Sequence, residues 1–315
     1  MSDAKKSQMP PKLFCFGYGY CSDFLGYTLM QRDEGWRVAG TTRDPDKARH
    51  MKEIGLQSYI FNMDYPLEDA RVFLKDVTHL LISTPPGDEG DPAFLLHGEE
   101  IAQFKNLKWV GYLSSTGVYG DRDGGWVDET SEIRPSSKRG SRRARAERQW
   151  MSLFEDYDLP VHIFRIAGIY GPQRSALDTV RSGIARRIDK PGHAFSRIHV
   201  DDIVQCLIAS MDSPAPGNIY NLCDDEAAAS GDVIAYACTL LDLPVPPPVP
   251  YEEANLPPMA RSFYNDNKRV HNDKVKDELG VTLKYPTYRE GLEGCLAVEQ
   301  SSDGLALEHD VGLKS

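Results

Sequence analysis

The segment Phe16-Gly17-Tyr18-Gly19-Tyr20-Cys21-Ser22 narrows the choice of fold more than any other part of the chain. It follows a short apolar run, Leu13 to Phe16, and precedes a helical pattern of Phe24, Leu25, Thr28 and Leu29 that stops by Gly35. Strand, glycine turn and helix in that order open a βαβ unit. A second strand, Trp36 to Thr41, arrives on schedule. Asp44-Pro45 then supplies an N-cap acid and a first-turn proline for a helix running to Gly55. Further strands are expected at Ser58 to Phe61, His79 to Ser83, Trp109 to Ser114 and His162 to Ile166, with helical stretches between most of them. The alternation predicts an α/β fold with a doubly wound parallel sheet.

Beyond Gly171 the pattern loosens. A basic stretch from Arg174 to Lys190 is followed by a short strand near Ile198, a helix from Asp201 to Met211 and a strand from Asn218 to Leu222. Pro244 to Pro250 holds five prolines in seven residues, which excludes helix and central strand and predicts a stiff surface connector. Asn272 is placed to cap a helix ending at Leu279-Gly280, and Tyr288 to Glu299 offers a last helical run. The expected division is a sheet domain over residues 12–170 and a smaller C-terminal lobe over 171–300. Segments near 195–222 return to the sheet, and residues 1–11 and 301–315 form mobile tails.

With 315 residues and 41% hydrophobic composition, such a fold can bury a full core. No apolar run approaches the ~18 residues that span a bilayer, and the N-terminus lacks a signal-peptide core, so a cytoplasmic protein is expected. A net charge of -11 argues against nucleic acid as a partner, because phosphate neutralisation needs a basic face. The six cysteines show neither CxxC spacing nor clustered histidines, so no metal site and no disulfide framework are expected.

Gly17 and Gly19 match the first two glycines of GxGxxG, while Ser22 takes the third place. The first glycine permits a tight turn, and the second lets a pyrophosphate approach the backbone and rest on the helix N-terminus beside Tyr20 and Ser22. These residues point to a dinucleotide-binding Rossmann unit; an ordinary strand-to-helix turn is the alternative. The end of the second strand separates the two nicotinamide dinucleotides. NAD sites usually carry an acid there for the ribose hydroxyls, whereas this chain reads Gly40-Thr41-Thr42-Arg43. Thr42 and Arg43 therefore point to NADP(H), with the guanidinium on the 2'-phosphate; otherwise Arg43 is a solvated arginine at a helix start.

Four segments carry a family likeness: Leu113-Ser114-Ser115-Thr116-Gly117-Val118-Tyr119-Gly120, Phe164-Arg165-Ile166-Ala167-Gly168-Ile169-Tyr170-Gly171-Pro172, Arg197-Ile198-His199-Val200-Asp201-Asp202-Ile203 and Tyr220-Asn221-Leu222. In order and spacing the chain resembles the short-chain dehydrogenase/reductase superfamily over residues 12–298, in its extended or atypical branch with nucleotide-sugar epimerases and dehydratases. The resemblance implies that Ser115 hydrogen-bonds a substrate oxygen, as a hydroxyl that polarises a carbonyl can. It also implies a Tyr-x-x-x-Lys pair one helical turn apart, but counting back from Glu147 puts Arg139 and Arg143 in those places. Arg143 can still hold the nicotinamide ribose, whereas Arg139 cannot act as a general acid near neutral pH. Tyr119 and His199 are the candidates for the missing proton donor, each with packing as its alternative role.

Arg174, Arg187 and Arg197 belong to an unusually basic segment in an acidic chain, in the stretch that borders substrate in the superfamily. Either they hold a carboxylate or phosphate of the substrate, or they are surface arginines of an exposed helix over Ser175 to Ile188. The function expected is an NADP(H)-dependent oxidoreductase or epimerase, acting by hydride transfer on a small polar carbonyl or sugar-like substrate, with an anionic group if the arginines serve it. The alternative is a non-catalytic NADP(H)-binding sensor or scaffold, which the absent Tyr-x-x-x-Lys favours. A lyase or epimerase that keeps its nucleotide through a full cycle is a third reading. A homodimer is the expected assembly if the resemblance extends to it.

Overall fold

The computed structural model describes residues 9–301, so the expected tails lie almost wholly outside the described residues. Seven parallel strands form the central sheet: β1 (Lys12–Phe16), β2 (Arg37–Thr42), β3 (Gln57–Ile60), β4 (His79–Ile82), β5 (Trp109–Ser115), β6 (Val161–Ile166) and β7 (Ile219–Leu222). Their order is β7-β6-β5-β4-β1-β2-β3, the doubly wound Rossmann arrangement, with the strand order reversing between β1 and β4. β1 and β6 are buried along their whole length, as strands covered on both faces are; β1 is apolar after Lys12, while β6 also buries His162 and Arg165.

The longer helices are α1 (Tyr20–Met30), α2 (Pro45–Glu53), α3 (Pro92–Ile101), α4 (Lys138–Tyr157), α5 (Val200–Asp212), α6 (Ser230–Leu240) and α7 (Tyr288–Gln300). α2 and α3 start alike: Asp44 and Asp91 each accept two first-turn N–H groups, and a proline occupies the next position. The helix expected over Ser175 to Ile188 is only Ala176–Arg181. Gly183 turns into the left-handed region at φ 71°, and Arg187–Asp189 then runs extended and pairs with Pro248–Pro250. The proline-rich connector is thus an edge strand of a two-stranded sheet, a position where proline's missing N–H is tolerated. The short strand near Ile198 is Arg197–His199, parallel to Gly168–Tyr170.

The chain divides into two compact units. One comprises the residues up to Tyr112, Gln149–His162 and Pro214–Asn218; the other comprises Leu113–Arg148, Ile163–Ser213 and the residues from Ile219 on. In the first, Phe14, Phe16 and Phe61 meet edge to face, with Phe16 ring centres 5.2 and 5.1 Å from the other two. In the second, one apolar cluster joins Val118, Tyr119, Ala144, Ala167 and Cys223, and another joins Tyr170, Ala228, Tyr288 and Leu292.

Candidate cofactor and catalytic sites

The glycine turn lies in the first unit. Gly17 has φ 85°, and a Cβ there would come within 3.0 Å of the Thr84 backbone nitrogen, so both conformation and space require glycine. Its N–H donates to Thr41 Oγ1 at 2.9 Å, and Tyr18 N–H donates to the Thr41 carbonyl at 2.7 Å, tying the turn to the end of β2. Tyr18 folds inward: its ring packs on Gly40 and its hydroxyl on Gly26, positions where a Cβ would fall 2.8 and 2.4 Å away. Ser22 is fully buried and donates to the Gly17 carbonyl at 3.0 Å, so the serine in the third glycine position pins the turn from the helix side.

Gly19 differs from its neighbours. It is the N-cap of α1, no side chain caps the helix there, and a Cβ on Gly19 would meet nothing within 4 Å. An uncapped helix N-terminus facing open space is what a pyrophosphate requires, so the residues present fit a dinucleotide. Tyr20 packs on Phe24, 5.0 Å between ring centres, at the first turn of the same helix. At the end of β2, Thr42 is buried and accepts from Asp44 N–H at 3.1 Å. Arg43 is exposed and pairs with no carboxylate among the described residues. Lys47, on the first turn of α2, was not marked out by the sequence. Burial lowers its pKa against the pull of Asp23 and Asp44, so a second cation stands near Arg43 in the chain. The loop after β4 is held by Gln149, whose Oε1 accepts from Asp91 N–H at 3.0 Å and whose Nε2 donates to the Glu89 carbonyl at 3.1 Å.

The proposed catalytic residues lie in the second unit. Ser115 ends β5 and caps the short 3-10 turn Thr116–Tyr119, its Oγ accepting from Gly117 N–H at 3.1 Å. That bond uses an oxygen lone pair, and the hydroxyl proton has no acceptor among the described residues. Arg143 donates from Nη1 to the Leu113 carbonyl at 2.6 Å. Gly140 lies against the same turn: a Cβ there would sit 2.6 Å from the Gly117 carbonyl oxygen. The opening of α4 is therefore pressed on the Ser115 turn at Gly140. The Arg139 guanidinium stacks over Phe263, 4.8 Å to the ring centre, and donates to Ser262 Oγ at 2.9 Å.

Tyr119 and His199 occupy the interior. The Tyr119 hydroxyl donates to Asn221 Oδ1 at 2.7 Å and accepts from Arg165 Nη1 at 2.9 Å; the residue is fully buried, and burial pushes its pKa up to about 12. Arg165 forms a bidentate pair with buried Glu147, 2.9 Å at the closest, and Glu147 also accepts from Ser114 Oγ. His199 is the N-cap of α5: its Nδ1 accepts from Asp201 N–H at 3.2 Å, its Nε2 contacts the Cys295 sulfur at 3.5 Å, and burial lowers its pKa to about 4. Both side chains thus have complete internal roles.

Of the three arginines expected to face substrate, Arg174 is exposed, Arg187 is half-buried and Arg197 turns inward. Arg197 Nη1 donates to the carbonyls of Phe195 and Ala228 at 2.8 and 2.9 Å, which clips the 195–228 crossing rather than presenting an open fork. Sequence reasoning missed its neighbour Asp224. This carboxyl is 3% exposed with neither oxygen hydrogen-bonded, and burial, opposed by the Arg197 charge, pushes its pKa up to about 8. The only sequence signal was an acid two residues beyond a strand that reads Tyr-Asn-Leu.

The model of the NAD dependent epimerase/dehydratase family matches residues 99–223. A crystal structure of a functionally unknown conserved protein from Silicibacter pomeroyi DSS shares 49% identity, with a TM-score of 0.84 over 91% of this chain and 98% of that one. Over residues 99–223 the chain is thus similar to the NAD dependent epimerase/dehydratase family. Protein YeeZ of Escherichia coli (strain K12) is 26% identical over 288 residues, covering 87% of this chain and 96% of YeeZ. The UDP-glucuronic acid 4-epimerase of Bacillus cereus, solved in complex with NAD, shares the fold at a TM-score of 0.71 and 16% identity, over 90% of this chain and 96% of that one. The chain has the glycine turn and Ser115 together with Arg139 and Arg143 on α4. Among the described residues no helix is long and apolar enough to cross a membrane, and no three His, Cys, Asp or Glu side chains group to hold a metal.

Proposed function

We propose that this protein is an NADP(H)-dependent oxidoreductase or epimerase that acts on a small polar carbonyl or sugar-like compound. The observation that carries the reading is the uncapped N-terminus of α1 at Gly19, combined with a β2 end that offers Thr42 and Arg43 and no acid. The turn around Gly17 would receive the pyrophosphate, and Thr42 with Arg43, joined by Lys47, would receive the 2'-phosphate. Bound there, the nicotinamide ring would supply or accept the hydride. Ser115, with its hydroxyl proton uncommitted, would donate to the substrate oxygen. Tyr119 and His199 are left out of the proton path because both are packed inside with their polar atoms engaged.

Cofactor-stripped protein is titrated with NADPH, NADH and NADP+, and the series is repeated with Arg43→Ala. A charge-assisted contact of about 1.5–3 kcal/mol predicts that the variant loses roughly ten- to a hundredfold in NADPH affinity while NADH binding is little changed. An unchanged NADPH-to-NADH ratio would refute the cofactor preference. A second reading, a cofactor-binding protein without turnover, draws on Arg139 standing where the superfamily keeps its proton donor; tight NADPH binding with no NADPH oxidation across a carbonyl panel favours it.

A further inference from the structure

We infer that the ligand bound beside Ser115 carries a carboxylate and that Arg139 grips it; this rests on the reading above that a carbonyl compound binds at that serine. Arg139 occupies the place where the superfamily puts a neutral hydroxyl, and its guanidinium stays charged at every physiological pH. Its position is built: Gly140 abuts the Gly117 carbonyl of the Ser115 turn, the guanidinium face is stacked on Phe263, and one N–H is anchored on Ser262 Oγ. Of the five guanidinium donors, this anchor uses one, and no carboxylate among the described residues pairs with the rest. In a chain with a net charge of -11, an exposed cation seated over an aromatic ring yet left without an acid is available to an anion from outside. The guanidinium N–H groups not used by Ser262 match the two oxygens of a carboxylate. A neutral sugar hydroxyl would gain little from such a fork. Arg197, the alternative anion site, spends its Nη1 on two backbone carbonyls.

The test uses pyruvate, 2-oxobutyrate and 2-oxoglutarate, each beside its methyl ester, titrated into the full chain with and without saturating NADP+. The expected result is that at least one acid binds and raises the unfolding midpoint while its ester does not. Arg139→Gln should weaken that acid at least tenfold with NADP+ affinity unchanged, and Arg139→Lys should recover only part, since an ammonium cannot make the bidentate contact. The inference is overturned if no acid binds, if esters bind as well as acids, or if Arg139→Gln lowers stability yet binds the acid as the wild type does, which would make the arginine a latch for the 258–263 helix alone. Failure of the wild type to bind NADP+ refutes the cofactor reading instead, and the titrations without NADP+ still decide Arg139.

Discussion

Replacing Asp224 by asparagine should favour the folded protein more at alkaline pH than at acid pH. The carboxyl is 3% exposed, neither oxygen has a hydrogen-bond partner, and its pKa stands at about 8 against 3.8 for an ordinary aspartate. A raised acid pKa means that the folded chain keeps a proton that the unfolded chain releases. Between pH 3.8 and about 8 the native state therefore binds more protons, and stability falls as pH rises through that window. Each pH unit within it costs about 1.4 kcal/mol, so this group alone removes up to ~4 kcal/mol between pH 5 and pH 8. Local relaxation and water entry around the charged form reduce the figure to roughly half. Asparagine has the same shape and no charge to release. Urea unfolding of wild type and Asp224→Asn at pH 5 and pH 8 should show the variant's advantage growing by about 2–4 kcal/mol between the two pH values. Because Asp202, Glu129 and His162, which burial also shifts, are common to both proteins, the difference isolates Asp224. A variant-minus-wild-type difference that is the same at both pH values would refute the argument.

Two further substitutions separate binding from folding. Gly19→Ala places a methyl in open space at an ordinary backbone conformation (φ -101°), so the unfolding midpoint should stay within about 0.5 kcal/mol of wild type while dinucleotide affinity drops at least tenfold; equal NADPH titrations for the two proteins would show that the pyrophosphate does not lie there. Glu147→Gln leaves Arg165 buried without its counter-charge and should cost about 3–5 kcal/mol in urea unfolding, whereas Ser114→Ala, which removes one hydrogen bond to the same carboxylate, should cost about 1 kcal/mol. Equal costs for the two would mean that the ion pair contributes nothing beyond a hydrogen bond.

The local pattern of the chain determined the architecture. β1, β2, β4, β5 and β6 stand within a residue or so of their expected places, and Asp44-Pro45 starts α2 as a cap and first-turn proline should, because strand period and capping chemistry act over a few residues. The glycine turn and the arginines in the Tyr-x-x-x-Lys places were legible for the same reason: motif spacing is a property of neighbours in sequence. Only the tertiary structure decided what the polar side chains do. Tyr119 meets Asn221 across 102 residues of sequence, His199 meets Cys295 across 96, and Arg197 turns to the Phe195 and Ala228 carbonyls. Burial and hydrogen-bond partners over such separations are set by packing, which no window of sequence contains. A tyrosine and a histidine that read as proton donors thus become a core hydroxyl and a helix cap, and an arginine that reads as a lost catalytic group lies over Phe263 and donates to Ser262.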